Sequence, residues 1–487
     1  MAVNGHSSAE ASSALTRELW RHPDPTSTPL WAFTRRVNEK YDLQLNDYPA
    51  VYQWSIDNVA AFWEEVWHFS GVKASKSFDE VLPKVAPMYP RPDFFAGARL
   101  NFAENLLFPA NVDVSPDAVA IITTTELGNP VSTTWAELRD AVRRCSNALP
   151  LVASLGAASV GAIWTGISPD NGVSAVLDRL AQITPKVLFA DNGTVYNGKE
   201  WSSTSKTTEI VGALKDKGLE LVVVIDNVRC HLALDDLRAK DVKTVVEYER
   251  FLQSSSDDEA LTFEQLPPAH PLYILYSSGT TGLPKAIVHT ALGTLIQHKK
   301  EHHLHCSMTS ASRMLYYTTT SWMMWHWSIS ALAVGASLVL YSGSPFKPHG
   351  YLSLPRLLSE LKVTHFGTSA AYLTALEANQ VADAVCVGRR RETDTDETVC
   401  LFVVMEAGKV FDEDVRARIQ RTVRTELSPR HVPGVVEECG GGVPKTGNGK
   451  KIEVAVKQIL SGMAVQTNAS VANPEALDWF RAWAASH

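Results

Sequence analysis

The sequence has no excess of basic residues. It contains 45 Lys and Arg against 53 Asp and Glu in 487 residues, a formal net charge of −8. A protein that binds the phosphate backbone of nucleic acid needs a basic patch or stripe. The longest basic run, Arg389–Arg391, is followed at once by four acidic residues within six positions. We therefore expect no nucleic-acid partner and interpret this run as a solvent-exposed loop.

Cysteine is scarce, with six residues and no Cys-x-x-Cys pair. This usage excludes a disulfide framework and is typical of a reducing compartment. The N-terminal residues contain no apolar segment of the kind found in secretory signals, and the final residues Ala485–His487 are not a peroxisomal signal. We expect a cytoplasmic protein of the cytosol.

Charged residues are missing from one long stretch. Between Arg313 and Lys347 there is no Asp, Glu, Lys or Arg, and the run Trp322–Tyr341 is long enough to cross a bilayer. That run contains His326 and three serines, and its last part, Ala336–Tyr341, has the pattern of a buried parallel strand. The pattern favours a helix followed by a strand over a membrane span.

Large apolar side chains are plentiful, with 13 Trp, 13 Tyr and 16 Phe, so disorder is excluded as the overall state. From about residue 115, short apolar runs alternate with helical patterns. This alternation predicts an α/β fold with a mostly parallel sheet. The predicted elements are strands at Ala118–Thr123, Val187–Ala190, Leu221–Ile225, Leu272–Tyr276 and Val363–Phe366, and helices at Thr134–Leu149 and Leu354–Leu361.

The last hundred residues have a different pattern. Val399–Met405 predicts a strand, and Asp412–Leu427 predicts an amphipathic helix with Asp412 as its N-cap. A second helix is expected at Glu453–Leu460. We predict a small, separate α+β lobe, and divide the chain into an N-terminal segment (1–110), a large lobe (111–380) and a small lobe (381–487).

The densest motif is Tyr276–Lys285 (YSSGTTGLPK), between two predicted strands. Glycine lets the backbone approach a ligand, and hydroxyl and backbone N–H groups form a cradle for phosphate oxygens. The spacing is not that of a Walker A loop, because Ala286 follows the lysine. We predict a phosphate-binding loop between the lobes rather than a turn without a ligand. Its candidate residues are Ser277, Ser278, Gly279, Thr280, Thr281, Gly282 and Lys285.

This stretch resembles the phosphate loop of the adenylate-forming enzymes, which include acyl-CoA synthetases, peptide-synthetase adenylation domains and luciferases. Pro444–Lys450 (PKTGNGK) is similar to the C-terminal loop of that family, whose last lysine contacts the substrate carboxylate and the α-phosphate. The resemblance therefore implies that Lys450 is the catalytic lysine. The two motifs occur in the same order as the two loops of the family, and together they support the resemblance more strongly than either motif alone.

Further segments narrow the resemblance to the acetyl- and acetoacetyl-CoA synthetase branch, and to acetoacetyl-CoA synthetases in particular. They are Phe94–Leu107, Gly161–Trp164 with Ser168–Asp170, Trp322–Trp327, Leu340–Phe346 and Gly449–Lys457. The resemblance implies the adenylate-forming fold, in an incomplete form, with residues 1–110 as the N-terminal segment of this branch.

The resemblance also implies a reaction. A carboxylate attacks the α-phosphate of ATP, pyrophosphate leaves, and the CoA thiolate then displaces AMP from the acyl-adenylate. The implied substrates are ATP with Mg²⁺, CoA and acetoacetate, for lipid or fatty-acid metabolism, and the small lobe rotates between the half-reactions. Trp322 is the candidate for the acyl pocket, although a Trp–Met cluster is also common in cores. The oligomeric state is not predicted.

Two segments of the family have no counterpart here. One would follow Leu149, where Leu149–Leu151 runs directly into Val152–Ser154. The other would lie between Thr368–Tyr372 and Val381–Gly388, and it includes the family's ribose-binding Asp, the acidic residue near Mg²⁺ and the interdomain hinge. These gaps predict little or no ligase activity. The alternatives are a synthetase for acetate or another short acid, and a non-catalytic remnant.

One His-rich run also needs an interpretation. His298, His302, His303, His305 and Cys306 lie on one helix-like stretch, where His298 and His302 are spaced to share a metal ion. Nothing else in the sequence supports such a site. A packed or surface helix is therefore favoured, and no metal site is predicted.

Overall fold

The structure is a computed structural model. It describes residues 21–84, 87, 89, 91–144, 150–253, 260–277, 283–370, 372–373, 381–391, 394, 396–406, 408–426, 432–446, 451–463, 465 and 471–487. The helices are α1 (Pro29–Tyr41), α2 (Tyr48–Asp57), α3 (Val59–Ser70), α4 (Phe102–Leu107), α5 (Trp135–Arg144), α6 (Pro150–Ser159), α7 (Val173–Ile183), α8 (Thr204–Leu214), α9 (Leu234–Arg238), α10 (Tyr248–Leu252), α11 (Ala291–Lys300), α12 (Met323–Ile329), α13 (Ser353–Glu360), α14 (Glu413–Glu426), α15 (Glu453–Leu460) and α16 (Pro474–Ser486). The strands are β1 (Val119–Thr125), β2 (Gly128–Thr134), β3 (Val187–Asp191), β4 (Gly193–Tyr196), β5 (Lys199–Ser202), β6 (Leu221–Ile225), β7 (Thr244–Glu247), β8 (Pro271–Ser277), β9 (Lys285–Thr290), β10 (Arg313–Tyr316), β11 (Ser337–Ser342), β12 (His365–Gly367), β13 (Val381–Arg389), β14 (Thr398–Met405) and β15 (Val435–Glu438).

A five-stranded sheet lies at the centre of the large lobe, in the order β12-β10-β11-β1-β2. Its first four strands are parallel, and β2 joins β1 as an antiparallel edge strand. A second, three-stranded sheet, β3-β6-β7, is fully parallel. The predicted α/β class with mostly parallel sheets is therefore confirmed.

Helices cover the central sheet and complete the largest apolar core. Three N-terminal helices, α1 to α3, add Phe33, Val37, Val66 and Trp67 to this core, which also contains Leu106 of α4. The buried carboxylate of Glu65 is held by Arg36 at 2.8 Å and Lys40 at 2.5 Å. A buried charge of this kind is stable only when it is paired.

The C-terminal part has its own sheet and its own core. β13 and β14 are antiparallel, β14 and β15 are parallel, and α15 and α16 pack on the sheet around Val385, Phe402, Val456 and Phe480. Asp412 caps α14, because its carboxylate accepts a hydrogen bond of 2.9 Å from the Val415 N–H. This architecture is α+β, and the exact division of the chain into domains stays a prediction.

Two elements differ from the sequence-based expectation. The strand predicted at Val363–Phe366 is observed at His365–Gly367, because Val363 completes the turn after α13 and Thr364 only begins the contact with Arg313 of β10. Lys362 adopts a φ of 52°, and the Val363 N–H donates to the Leu358 carbonyl at 2.9 Å. Helix α5 is observed as far as Arg144, and the remainder of the predicted helix lies outside the described residues.

The uncharged stretch Trp322–Tyr341 is divided into three short elements. Helix α12 is followed by a 3₁₀ segment, Ser330–Val334, and then by β11. None of the helices in the described ranges is sufficiently long and apolar to cross a membrane.

The turn after β1 carries a buried carboxylate that connects three segments. Glu126 accepts hydrogen bonds from the backbone N–H groups of Ser344 at 2.6 Å, Asn197 at 3.0 Å and Gly198. The side chain thereby fixes the β4–β5 hairpin and the loop after β11 to the end of the central sheet. Its three acceptor contacts replace the water that these N–H groups would otherwise need.

We predict that Glu126→Ala destabilises the protein by about 3 kcal/mol, because unsatisfied buried donors each cost about 1–3 kcal/mol. Urea unfolding of both proteins measures the difference. Glu126→Gln, which keeps one acceptor oxygen, should lose less than the alanine variant. Equal stability of all three proteins would contradict the role of this side chain.

Lys299 of α11 is completely buried and has no carboxylate partner among the described residues. Its Nζ donates a hydrogen bond of 2.7 Å to the Ala333 carbonyl, at the end of the 3₁₀ segment. Burial lowers the pKa of Lys299 to about 7, from an ordinary value of 10.5. At a pH between about 7 and 10.5, the Lys299 side chain therefore binds fewer protons in the folded protein than in the unfolded chain.

The sign of this difference predicts a stability that rises with pH. Between about pH 7 and pH 10, the free energy of unfolding should gain up to about 1.4 kcal/mol per pH unit from Lys299. Lys299→Met should remove this gain, whereas Lys217→Met on the surface should not. Urea unfolding at pH 7 and pH 9 measures it, and parallel pH profiles for the native and Lys299→Met proteins would refute the prediction.

Candidate functional site

Two paired strands flank the hydroxyl-rich motif. Strands β8 and β9 are antiparallel, and Ser277 pairs with Lys285 at the end of the ladder. Ser277 and Lys285 therefore belong to the strands, and the connecting loop is narrower than the predicted one. The remaining candidates lie outside the described residues: Ser278, Gly279, Thr280, Thr281 and Gly282.

Helix α7 holds this hairpin from one side. The Tyr276 hydroxyl donates to the Arg179 carbonyl at 3.0 Å, and Gln182 Nε2 donates to the Pro284 carbonyl at 3.0 Å. The Arg179 guanidinium also lies 5.7 Å from the centroid of the Tyr276 ring. These contacts fix both ends of the candidate phosphate loop. Neither Arg179 nor Gln182 is marked by a motif in the sequence.

The segment before α7 extends the hairpin. Trp164 pairs with Tyr273 of β8 in a parallel bridge, and the Thr165 hydroxyl donates to the Ile274 carbonyl at 2.9 Å. Burial raises the pKa of Tyr273 to about 12, so its phenol stays neutral at physiological pH. The base of the hairpin is therefore a rigid, largely apolar support.

A cavity of about 1780 Å³ opens beside the hairpin, between the five-stranded and three-stranded sheets. Trp322, the candidate for the acyl pocket, lies on its wall with 62% of its surface exposed. Trp322 is thus available for contact with a ligand and does not belong to the buried core. Its role in acyl binding stays a prediction.

Several residues that line the cavity also carry a polar atom that is itself buried and has no hydrogen-bond partner in the described part of the chain. These atoms are Thr124 Oγ1, Trp164 Nε1, Asp170 Oδ1 and Thr368 Oγ1. Burial also raises the pKa of Asp191 and lowers that of Lys206, which both lie on this wall. The wall is therefore apolar with a few hydrogen-bonding groups, as is typical of binding sites.

The second candidate loop is fixed at its two ends by one carboxylate. Asp383 of β13 lies 2.5 Å from Lys445 Nζ and 2.8 Å from Lys451 Nζ. Burial alone would raise the pKa of Asp383, but the hydrogen bonds from both lysines outweigh it and hold the pKa below its usual value. Lys450 lies in the intervening part of the loop, outside the described residues.

Backbone contacts strengthen the base of this loop. Lys445 and Lys451 form an antiparallel bridge, the Lys445 N–H donates to Asn473 Oδ1 at 2.8 Å, and the Ile452 N–H donates to the Pro444 carbonyl at 2.9 Å. The described ends of this loop therefore form a well-defined stem.

The His-rich run packs inside the large lobe. It continues α11 as a π-helical turn, Glu301–His305. His298 Nδ1 lies 2.9 Å from the Ser330 hydroxyl, and His302 Nε2 lies 2.8 Å from the Trp327 carbonyl. Within the described ranges, no three His, Cys, Asp or Glu side chains converge as metal ligands would. The favoured interpretation, a packed helix, agrees with these contacts.

Comparison with known families gives two matches. Residues 150–482 match the AMP-binding enzyme family, and residues 48–106 match the N-terminal region of acetyl-coenzyme A synthetase. Together the two matches cover most of the chain.

Individual relatives agree with these matches. The malonamoyl-CoA synthetase of Penicillium aethiopicum is 34% identical over 96% of this chain and 92% of its own length. The acetoacetyl-CoA synthetase of Gallus gallus is 30% identical over 95% of this chain and 97% of its own. That of Danio rerio is 42% identical over 74% of this chain and 56% of its own.

The alignment with the Penicillium relative extends over 671 positions, whereas this chain has 487 residues. The relative therefore carries internal residues that have no counterpart here, as the sequence predicts. The solved acetoacetyl-CoA synthetase of Streptomyces lividans covers 95% of this chain and 99% of its own, with a TM-score of 0.74 and 25% identity. The chain therefore belongs to the AMP-binding enzyme family and is a homologue of the acetoacetyl-CoA synthetases.

Proposed function

We propose that this chain is an acid–thiol ligase that forms acetoacetyl-CoA from acetoacetate, ATP and CoA through an acyl-adenylate. The observation that carries the proposal is the match to full-length acetoacetyl-CoA synthetases at both ends of the chain, together with the hydroxyl-rich hairpin. The proposed place of action is the cytosol, on the basis of the cysteine usage.

The chemistry assigns a role to each loop. The acid carboxylate attacks the α-phosphorus of MgATP and pyrophosphate leaves, and the CoA thiolate then attacks the acyl carbonyl and expels AMP. Negative charge develops on the α-phosphoryl oxygens during the first step. We assign the stabilisation of this charge to Lys450 and to the N–H and hydroxyl groups of Ser277–Lys285. Mg²⁺ enters here with ATP as part of the substrate.

One relative supports a second candidate for the acid substrate. The Penicillium protein is named a malonamoyl-CoA synthetase, and it matches nearly the whole of this chain. Malonamate and acetoacetate share a carboxylate, a methylene group and a carbonyl β to the carboxylate, and they differ only at the far end, where malonamate has an amide nitrogen in place of the methyl carbon of acetoacetate. A pocket that accepts one acid has nearly the right shape for the other. We place malonamate second, because acetoacetyl-CoA synthetases predominate among the relatives described above.

Activity with three acids tests the proposal. Purified chain with MgATP and CoA should release pyrophosphate and form acyl-CoA with acetoacetate or malonamate, and much more slowly with acetate. The internal gaps predict a rate about a hundredfold or more below that of the Streptomyces lividans enzyme, because displacement of reacting groups by about 1 Å has this cost. Single-turnover mixtures at high protein concentration measure the acyl-adenylate and acyl-CoA by mass spectrometry.

Lys450→Ala serves as the mechanistic control. It should slow adenylation by a further hundredfold or so, the scale for loss of one charge-stabilising donor, and leave CoA transfer from preformed acyl-adenylate unchanged. Lys457→Ala, which removes an exposed lysine of the same lobe, should change neither step. Acid-independent pyrophosphate release, or equal loss of both steps in Lys450→Ala, would refute the assignment.

A separate prediction concerns the stem of the Lys450 loop. We expect Asp383→Asn to weaken the contacts to Lys445 and Lys451, because the neutral amide keeps only one acceptor oxygen. The loop should then be cut by trypsin at least about fivefold faster, since proteolysis follows the population of opened loops. Mass spectrometry of the first fragments identifies the cut.

The matched control is Glu397→Gln, which breaks the exposed Lys457–Glu397 pair at 2.9 Å. It should leave the rate of cutting at the loop unchanged. In the adenylation assay, Asp383→Asn should slow acyl-adenylate formation and spare CoA transfer. A thermal destabilisation without faster cutting at the loop would count against a positioning role for Asp383.

A further inference from the structure

The three-stranded sheet has an open edge at β3. This strand pairs with β6 on one side and with no other strand of the described chain. The Leu221 N–H donates to the Lys186 carbonyl at 3.1 Å, and the Asn192 N–H donates to the Ile225 carbonyl at 3.0 Å. Because hydrogen bonding alternates along a parallel strand, residues 186, 188, 190 and 192 face β6. The backbone groups of residues 187, 189 and 191 therefore point to the open edge.

The side chains of this edge are apolar but incompletely buried. Val187 is 44% exposed, and Leu188, Phe189 and Ala190 are half-buried. Natural proteins protect such edges with charge, proline or a covering segment, because an open apolar edge pairs readily with another chain. Asp191 is the one charged residue within β3, and the Ser203 hydroxyl lies 3.2 Å from its carboxylate. The rest of the edge has no such protection.

The open edge faces the large cavity. All five residues of β3 lie on its wall, and Trp164–Gly166, which runs beside β8, forms part of the same lining. The volume of about 1780 Å³ exceeds the usual 300–1,000 Å³ of small-molecule pockets. The cavity is a half-open cleft, and its volume is large enough to admit a stretch of polypeptide.

The comparison with relatives indicates which kind of segment this is. The Penicillium relative carries internal residues without counterpart in this chain, and the sequence resemblance places one missing strand directly before α6. Helix α6 contributes Ala153, Gly156 and Ala157 to the cavity wall. A segment inserted before α6 is therefore joined directly to an element of the cavity wall.

We propose that the cavity is a binding site for an extended apolar peptide, which adds to the open edge of β3 as a parallel strand. The class of ligand is a strand-forming segment of about five residues, the length of β3, rich in β-branched and aliphatic side chains. Main-chain hydrogen bonds to residues 187, 189 and 191 supply affinity, and the apolar wall selects the side chains. The proposal does not depend on the reaction that the chain catalyses.

A synthetic peptide tests the site. The probe is the internal sequence of the Penicillium relative that aligns immediately before Pro150, acetylated and amidated at its ends. We expect saturable binding with one peptide per chain by isothermal titration calorimetry, and a rise in the unfolding temperature that grows with peptide concentration, since a ligand of the native state stabilises it. A scrambled peptide of the same composition should do neither.

Two variants locate the site. Val187→Lys places a charge on the open edge, at a position exposed enough to tolerate it, and should weaken peptide binding at least tenfold. Val454→Lys makes the same change at a 71% exposed position of α15 and should bind the peptide as the native chain does. Circular dichroism confirms that both variants fold.

Four results would overturn the proposal: no saturable binding, equal binding of the scrambled peptide, unchanged affinity in Val187→Lys, or a concentration-dependent dimer that Val187→Lys abolishes. The last result would assign the edge to a second copy of the chain. Stabilisation by hexadecanoate with no effect of the peptide would assign the cavity to a lipid instead.

Discussion

Parallel strand pairing is the constraint on which this structure depends. Parallel strands cannot be joined by a short turn, so each parallel pair is assembled from residues that are far apart in the chain. Ile121 of β1 pairs with Leu338 of β11, and Leu315 of β10 pairs with Phe366 of β12. A strand that loses its distant neighbour cannot replace it by a local shift. The separation of the large lobe into several sheets, the cavity between two of them and the open edge of β3 are all consistent with this constraint.

The two candidate loops illustrate how chemistry and position are divided in this protein. The sequence motifs supply the hydroxyls, glycines and lysines, whereas the groups that hold the described ends of the two loops belong to other elements. Helix α7 holds the hairpin through Tyr276 and Pro284, and Asp383 holds the stem of the second loop through two lysines. Such supports add precision without touching a substrate, because a loop alone does not fix its own direction.

Much of the fold can be read from the sequence, because its signals are local. The sequence predicts the bounds of β6, β8 and α15 to within one residue. The hydroxyl-rich motif between β8 and β9 is recognised by its density of serine, threonine and glycine. The shift of β12 escapes prediction because it follows from the left-handed conformation of Lys362. Asp383 and Gln182 escape prediction for another reason. Their roles exist only through contacts with residues about 60 and 100 positions away in the chain.

The cavity also determines how the protein opens. Elements that share few buried apolar contacts separate at a lower free energy than elements of one packed core. The half-open cavity of about 1780 Å³ lies between the two sheets of the large lobe, and the apolar cluster of the three-stranded sheet is distinct from the cluster that contains strands of the five-stranded sheet. Local opening between these two sheets should therefore cost less free energy than unfolding of either one.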